Sequence, residues 1–143
     1  METIRTCISF QASAAAKTIA RLSRNRLTPH GVTPIQFAVL QAVSEAEHQT
    51  AADIGAALMI DSATIVGVID RLSAMDLIAR APDLTDRRIN RLSLTAQGRA
   101  ALPAMQAAMD ALNAEVDSAL GASAPDVRSS LQGLASLQLL QKD

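Results

Sequence analysis

The chain carries a single cysteine, Cys7, which excludes an internal disulfide framework and a cysteine-rich zinc module. Cys7, His30 and His48 fall at no metal-ligand spacing, so no metal site is expected. A glycine-rich phosphate loop, a nucleophile elbow and a His-carboxylate cluster are all missing. An enzyme is therefore not expected, and no cofactor is called for. Aromatics are limited to Phe10 and Phe37, which argues against an all-β sandwich, whose strands lean on aromatic and β-branched residues. No apolar run approaches the ~20 residues needed to cross a bilayer. The first ten residues carry Glu2 and Arg5 and lack the apolar core of a secretion signal. These features point to a protein of a reducing compartment, the cytoplasm. The net charge of −1 excludes a uniformly basic protein, though not a local basic patch.

What is present is helical. The 143 residues include 28 alanines and 17 leucines, and a chain of this size can bury about two-thirds of its surface in one domain. Ile4, Ile8, Ala12, Ala15, Ile19 and Leu22 recur at helical spacing, predicting a first helix from Ile4 to Arg26. Pro29 and Gly31 break it, and Thr33-Pro34 opens a second helix with Phe37, Leu40 and Val43 on its apolar face. Thr50 and Asp53 have the spacing of a helix cap before Ile54 and Leu58. Asp61-Ser62 caps a further helix that buries Ile65, Val68, Ile69 and Leu72. Two short helices so closely spaced suggest a helix-turn-helix.

Beyond Asp76 the period changes. Leu77–Arg80 and Asn90–Leu94 read as the strands of a hairpin with a polar, charged tip. Thr95 then caps a long helix striped by Leu102, Met105, Met109, Leu112, Val116 and Leu120, which Pro103 should bend and Gly121 should end. A last helix starts near Ser123 and carries Val127, Leu131, Leu134 and Leu137. The fold class expected is mainly α with a small β-hairpin wing. Residues 33–94 would form a winged helix-turn-helix lobe, and residues 1–32 and 95–143 a helical dimerisation region, the whole being one intertwined domain. The apolar faces of the terminal helices need a partner, and a second copy of the chain supplies one most simply.

Charge placement indicates what the lobe binds. Five of the eleven arginines (Arg80, Arg87, Arg88, Arg91 and Arg99) lie between residues 80 and 99, opposed there by Asp83 and Asp86 alone. A guanidinium pair on a loop beside a helix-turn-helix suits a phosphate backbone or a narrow minor groove. Taken alone, such a run is as readily a solvated surface. Double-stranded DNA is the expected partner, and a helical dimeric adaptor that binds protein is the alternative.

The strings Asp61-Ser62-Ala63-Thr64-Ile65-Val66, Asp70-Arg71-Leu72, Asp86-Arg87-Arg88 and Leu94-Thr95-Ala96-Gln97-Gly98, in this order, resemble the multiple antibiotic resistance regulator (MarR) family. The resemblance implies a homodimeric winged helix-turn-helix regulator, a repressor, that binds a pseudo-palindromic operator and is released by a small aromatic or phenolic effector. It also implies that Ser62, Ala63, Thr64, Val66 and Gly67 face the DNA groove and that Arg87 and Arg88 form the wing tip. Asp86 would orient a neighbouring arginine, and Arg91 joins the DNA-binding set. Arg71 reads either as a DNA contact or as a brace between elements. Gly67 stands where many members have a polar residue, and Asp76 where many have glycine. An effector pocket on the family's pattern would draw on Phe10, His30, Phe37 and Met59, with Arg21 or Arg24 for a carboxylate, although each also reads as ordinary core or surface. Some members sense oxidants through a cysteine on the first helix. Cys7 is thus a candidate redox residue, or simply a small hydrophobe.

Overall fold

The computed structural model describes residues 3–137. Its helices are α1 (Ile8–Leu27), α2 (Pro34–Glu45), α3 (Ala51–Leu58), α4 (Ser62–Ala74), α5 (Ala96–Leu120) and α6 (Ala124–Ala135). Strands β1 (Ile78–Pro82) and β2 (Asn90–Leu94) lie between α4 and α5 and pair antiparallel, from Ile78 opposite Leu94 to Pro82 opposite Asn90. Gln49 adds an isolated antiparallel bridge to Leu92. The backbone divides into two compact units, one ending at Met109 and the other beginning at Asp110.

The first unit closes around one apolar cluster. Leu27, Val39, Leu40, Val43, Ile54, Ile65, Ile69, Leu72 and Leu92 are almost wholly buried in it, with Leu102 and Met105 from α5. On α4 the buried positions Ile65, Val68, Ile69 and Leu72 follow the i, i+3, i+4, i+7 rule, which leaves the opposite face to solvent. In the second unit Leu112 and Ala124 are buried, and Arg128 donates to Asp117 at 2.9 Å.

Local chemistry accounts for the helix ends. Thr33 accepts from the Gln36 amide while the Gln36 side chain accepts from the Thr33 amide, a reciprocal cap; Thr50 and Asp53 repeat it at α3. Asp61 accepts from the Thr64 amide at 2.8 Å and starts α4. Gly31 and Gly121 take left-handed conformations where the first helical run and α5 stop. α5 remains helical through Pro103.

Two details differ from the sequence expectation. The first helix begins at Ile8, because Cys7 is extended (φ −73°, ψ 122°) and separates a 3-10 turn, Ile4–Thr6, from α1. β1 starts one residue late and runs two residues further. Leu77 is occupied elsewhere, its amide closing the end of α4 on Leu72 and its carbonyl accepting from Thr95. Pro82, which read as a turn former, ends the strand opposite Asn90. The apolar positions of α1 are not covered: Ile8, Phe10 and Ile19 are exposed, and only Ser23 and Leu27 are buried.

Candidate nucleic-acid interface

Helices α3 and α4 meet at 116° across a tight turn, within the range of a helix-turn-helix. Two bonds form the turn: the Ile60 amide to the Gly55 carbonyl and the Met59 amide to the Ala56 carbonyl. This six-to-one and five-to-two pattern requires a left-handed residue, and Met59 supplies it at φ 56°. Gly55 suits the close approach, since a Cβ there would sit 3.1 Å from the Ile60 carbonyl oxygen, a tight contact. The end of α4 repeats the pattern, with Leu77 bonded to Leu72, Asp76 to Ser73, and Asp76 left-handed at φ 57°. Aspartate tolerates that conformation better than most side chains.

The exposed face of α4 presents Ser62, Ala63, Thr64 and Val66, with Gly67 half-buried. Val66 is 50% exposed. The Thr64 hydroxyl donates to Asp61 at 2.7 Å, so it belongs to the cap before it can meet a base. Those Thr64 bonds hold the Asp61 carboxyl below the ordinary aspartate range. The positive end of α4 is thereby already neutralised by Asp61, and that of α3 by Asp53.

Arg71, expected to be a brace or a DNA contact, projects to solvent and makes no hydrogen bond or ion pair among the described residues. The brace is Arg80, whose guanidinium donates to Asp70 and ties β1 to α4. This pair closes one side of a cleft of about 310 Å³ between Thr50–Ala52, Val66 of α4, and Ile89 and Asn90 of the hairpin.

The hairpin loop is organised by two aspartates. Asp83, only 15% exposed, accepts from the Thr85 hydroxyl at 2.6 Å, from the Thr85 and Asp86 amides at 3.1 Å, and from Arg91 Nε at 2.8 Å. These bonds, the Thr85 hydroxyl foremost, push its carboxyl far below the usual range. Arg91 also donates to the His48 carbonyl at 3.3 Å, anchoring the loop to the segment between α2 and α3. Arg91, expected among the DNA contacts, is thus engaged within the protein and acts as the wing's anchor. Asp86 grips Arg88 along one guanidinium edge, through Nε and Nη2. Arg87 has no partner among the described residues and Arg88 is 89% exposed. A second cleft, about 420 Å³, lies on the hairpin between His48, Pro82, Leu84 and Arg91.

The Leu94–Gly98 string fixes the hairpin to the body. Thr95 Oγ1 accepts from the Gly98 amide at 2.9 Å and donates to the Asp76 carbonyl at 2.6 Å. Gly98 lies against Leu77, and a Cβ there would overlap the Leu77 carbonyl oxygen. The glycine is therefore a packing requirement.

The proposed effector-lining residues are dispersed over several surroundings. Phe10, Arg21 and Arg24 are exposed on α1, His30 is half-buried in a 3-10 turn, Phe37 packs on the core, and Met59 forms the helix-turn-helix turn with its side chain in solvent. None of these six lines the clefts described above. Cys7 is a half-buried free thiol at the start of α1. No three His, Cys, Asp or Glu side chains come together as a metal site among the described residues. Among the described residues no single helix is long and apolar enough to cross a membrane.

A capped, half-exposed helix beside an arginine-tipped hairpin defines a winged helix-turn-helix protein. The MarR family model matches residues 30–89. The HTH-type transcriptional regulator TtmR of Methylorubrum extorquens is 32% identical over 131 residues, covering 92% of this chain and 65% of its own length. The chain thus spans less than two-thirds of that relative. A probable transcriptional regulator from Pseudomonas aeruginosa superposes with a TM-score of 0.84 at 30% identity, over 93% of this chain and 99% of that one. Bordetella bronchiseptica BpsR superposes with a TM-score of 0.89 at 24% identity, over 96% and 99%. The chain belongs to the MarR family.

Proposed function

We propose that the protein is a sequence-specific, DNA-binding transcriptional regulator that acts as a homodimer on a pseudo-palindromic operator. The observation that carries this reading is the α4 face and the Arg87-Arg88 loop held in one compact unit, both open to solvent. α4 has the dimensions of a major-groove reader. Ala63 and Val66 suit thymine methyl groups, and Ser62 suits bases or phosphates. Its chemistry is quiet, so wing arginines and DNA shape carry much of the recognition. Arg71, projecting from α4 without a partner among the described residues, joins the phosphate contacts.

Dimerisation is supported by apolar side chains that the chain leaves uncovered: Ile8, Phe10 and Ile19 on α1, and Leu131 and Leu134 on α6. Burying each is worth about 1.5–3 kcal/mol. A second copy brings two reading helices to two half-sites of one operator. Bound across a promoter, such a dimer represses by excluding polymerase. Control by a small molecule is supported by likeness to BpsR, whose DNA binding is regulated by 6-hydroxynicotinic acid. For this chain the effector is inferred as a small molecule that favours the DNA-free form.

The test is fluorescence anisotropy with a duplex from the gene's own upstream region, titrated across salt. Tight binding that falls steeply with salt is expected, since each neutralised phosphate releases counterions. Weak binding that is equal on all duplexes would favour the protein-binding adaptor instead.

A further inference from the structure

Leu84 of the wing lies on the rim of the second cleft, and neither folding nor charge explains its exposure. Leu84 is fully exposed, at 101% of its reference area, and belongs to no part of the apolar core. A single exposed leucine is ordinary on a protein surface. This one differs in how its backbone is held. Before it, Asp83 donates its amide to Ile89 and is gripped by Arg91. After it, Thr85 and Asp86 both donate to the Asp83 carboxylate. The leucine therefore sits in a loop closed on both sides, which also displays the guanidiniums of Arg87 and Arg88.

We propose that Leu84 is a DNA-contacting residue that packs against the deoxyribose walls of the minor groove beside the wing arginines. The inference rests on the DNA-binding reading above. The minor groove combines what these side chains need: concentrated negative potential for guanidinium, and apolar sugar faces that close together where the groove narrows. A phosphate ridge offers the first without the second. Because the loop is already ordered, little conformational freedom is lost on contact. Leu84 thus contributes affinity that depends on groove width and releases no counterion.

The experiment uses the full chain, a duplex selected by the wild-type protein from a random-sequence pool, and an unselected duplex. Leu84→Ala is expected to weaken binding to the selected duplex about three- to tenfold, as partial burial of a leucine implies. Its salt slope should match the wild type, whereas Arg87→Ala should lower the slope by about one. Leu84→Met should retain affinity, and the thermal midpoint of all three variants should stay at the wild-type value. Hydroxyl-radical footprinting should show protection lost from the sugars under the wing in Leu84→Ala and kept elsewhere. Wild-type affinity and footprint in Leu84→Ala would overturn the proposal while leaving the DNA-binding reading intact, as would a reduced salt slope in that variant. Leu84 serving instead as a seat for a protein partner would appear as this same outcome. Failure of the wild type to bind any duplex would remove both.

Discussion

Asp86 holds Arg88 by two nearly parallel hydrogen bonds, Nε to Oδ1 at 3.1 Å and Nη2 to Oδ2 at 3.0 Å, with a third from the Arg88 amide at 3.0 Å. The arginine side chain is the main cause of the lowered Asp86 pKa, and Asp86 in turn raises that of Arg88. Both groups stay charged, and the guanidinium is aimed before any ligand arrives. Arg88→Ala should weaken operator binding at least about tenfold without changing the oligomeric state. Asp86→Ala separates aim from charge. Removing an acid beside phosphates would strengthen binding if net charge ruled. We expect affinity to fall, and anisotropy titration of the two variants decides.

Backbone conformation predicts opposite signs at three positions. Gly98→Ala should destabilise by at least about 2 kcal/mol, because the new Cβ meets the backbone carbonyl of Leu77, which β2 and the Thr95 cap hold in place. Gly67→Ala meets nothing within 4 Å and should stabilise by up to about 1 kcal/mol through helix propensity. Met59→Gly should also stabilise, by about 0.5–1 kcal/mol, since the left-handed turn strains a side chain that is otherwise in solvent. Urea unfolding midpoints at neutral pH check all three.

Asp83 makes the wing sensitive to acid. Its carboxyl titrates far below the ordinary value of 3.8 because Thr85 and Arg91 bond the ionised form. A depressed folded-state value means that the stabilisation is complete above the unfolded value and is lost as pH falls through the folded one. Stability should therefore decline steadily below about pH 4. Asp53 and Asp61, lowered by their helix caps, add to the same limb. Asp83→Asn should be less stable than wild type at neutral pH and show a shallower acid decline, measured by urea midpoints over that range.

The uncovered apolar side chains on α1 and α6 give a test of assembly. Phe10→Glu and Leu134→Glu should each shift the protein toward single subunits in sedimentation velocity. Both positions are solvent-exposed in the single chain, so its melting should not suffer directly. DNA affinity should fall with the dimer, because one half-site is then read alone. A dimer of unchanged stability in both variants would remove these helices from the interface.

Much of this molecule is determined by signals that act within a few residues. Capping requires an acceptor three positions before an amide, so Thr33, Thr50 and Asp61 announce their helices in the bare sequence. The buried stripe Ile65, Val68, Ile69 and Leu72 announces which face of α4 must be free. The Asp86–Arg88 grip is also local, spanning two residues. Burial is less transparent: α1 shows a stripe as regular as that of α4, yet periodicity does not say whether a partner surface exists.

What tertiary structure alone decided is which arginine does what. Arg80, Arg87, Arg88 and Arg91 are alike in sequence, but Arg80 meets Asp70, Arg91 meets Asp83 and the His48 carbonyl, and Arg87 meets nothing described. These partners lie up to 43 positions away and are selected by turns at Met59, Asp76 and Asp83. The packing role of Gly98 likewise appears only once Leu77 is seen against it. The physical reason is range. Helix caps and apolar stripes depend on distances along the chain, whereas a guanidinium chooses among carboxylates by distances in space, which exist only once the core has closed.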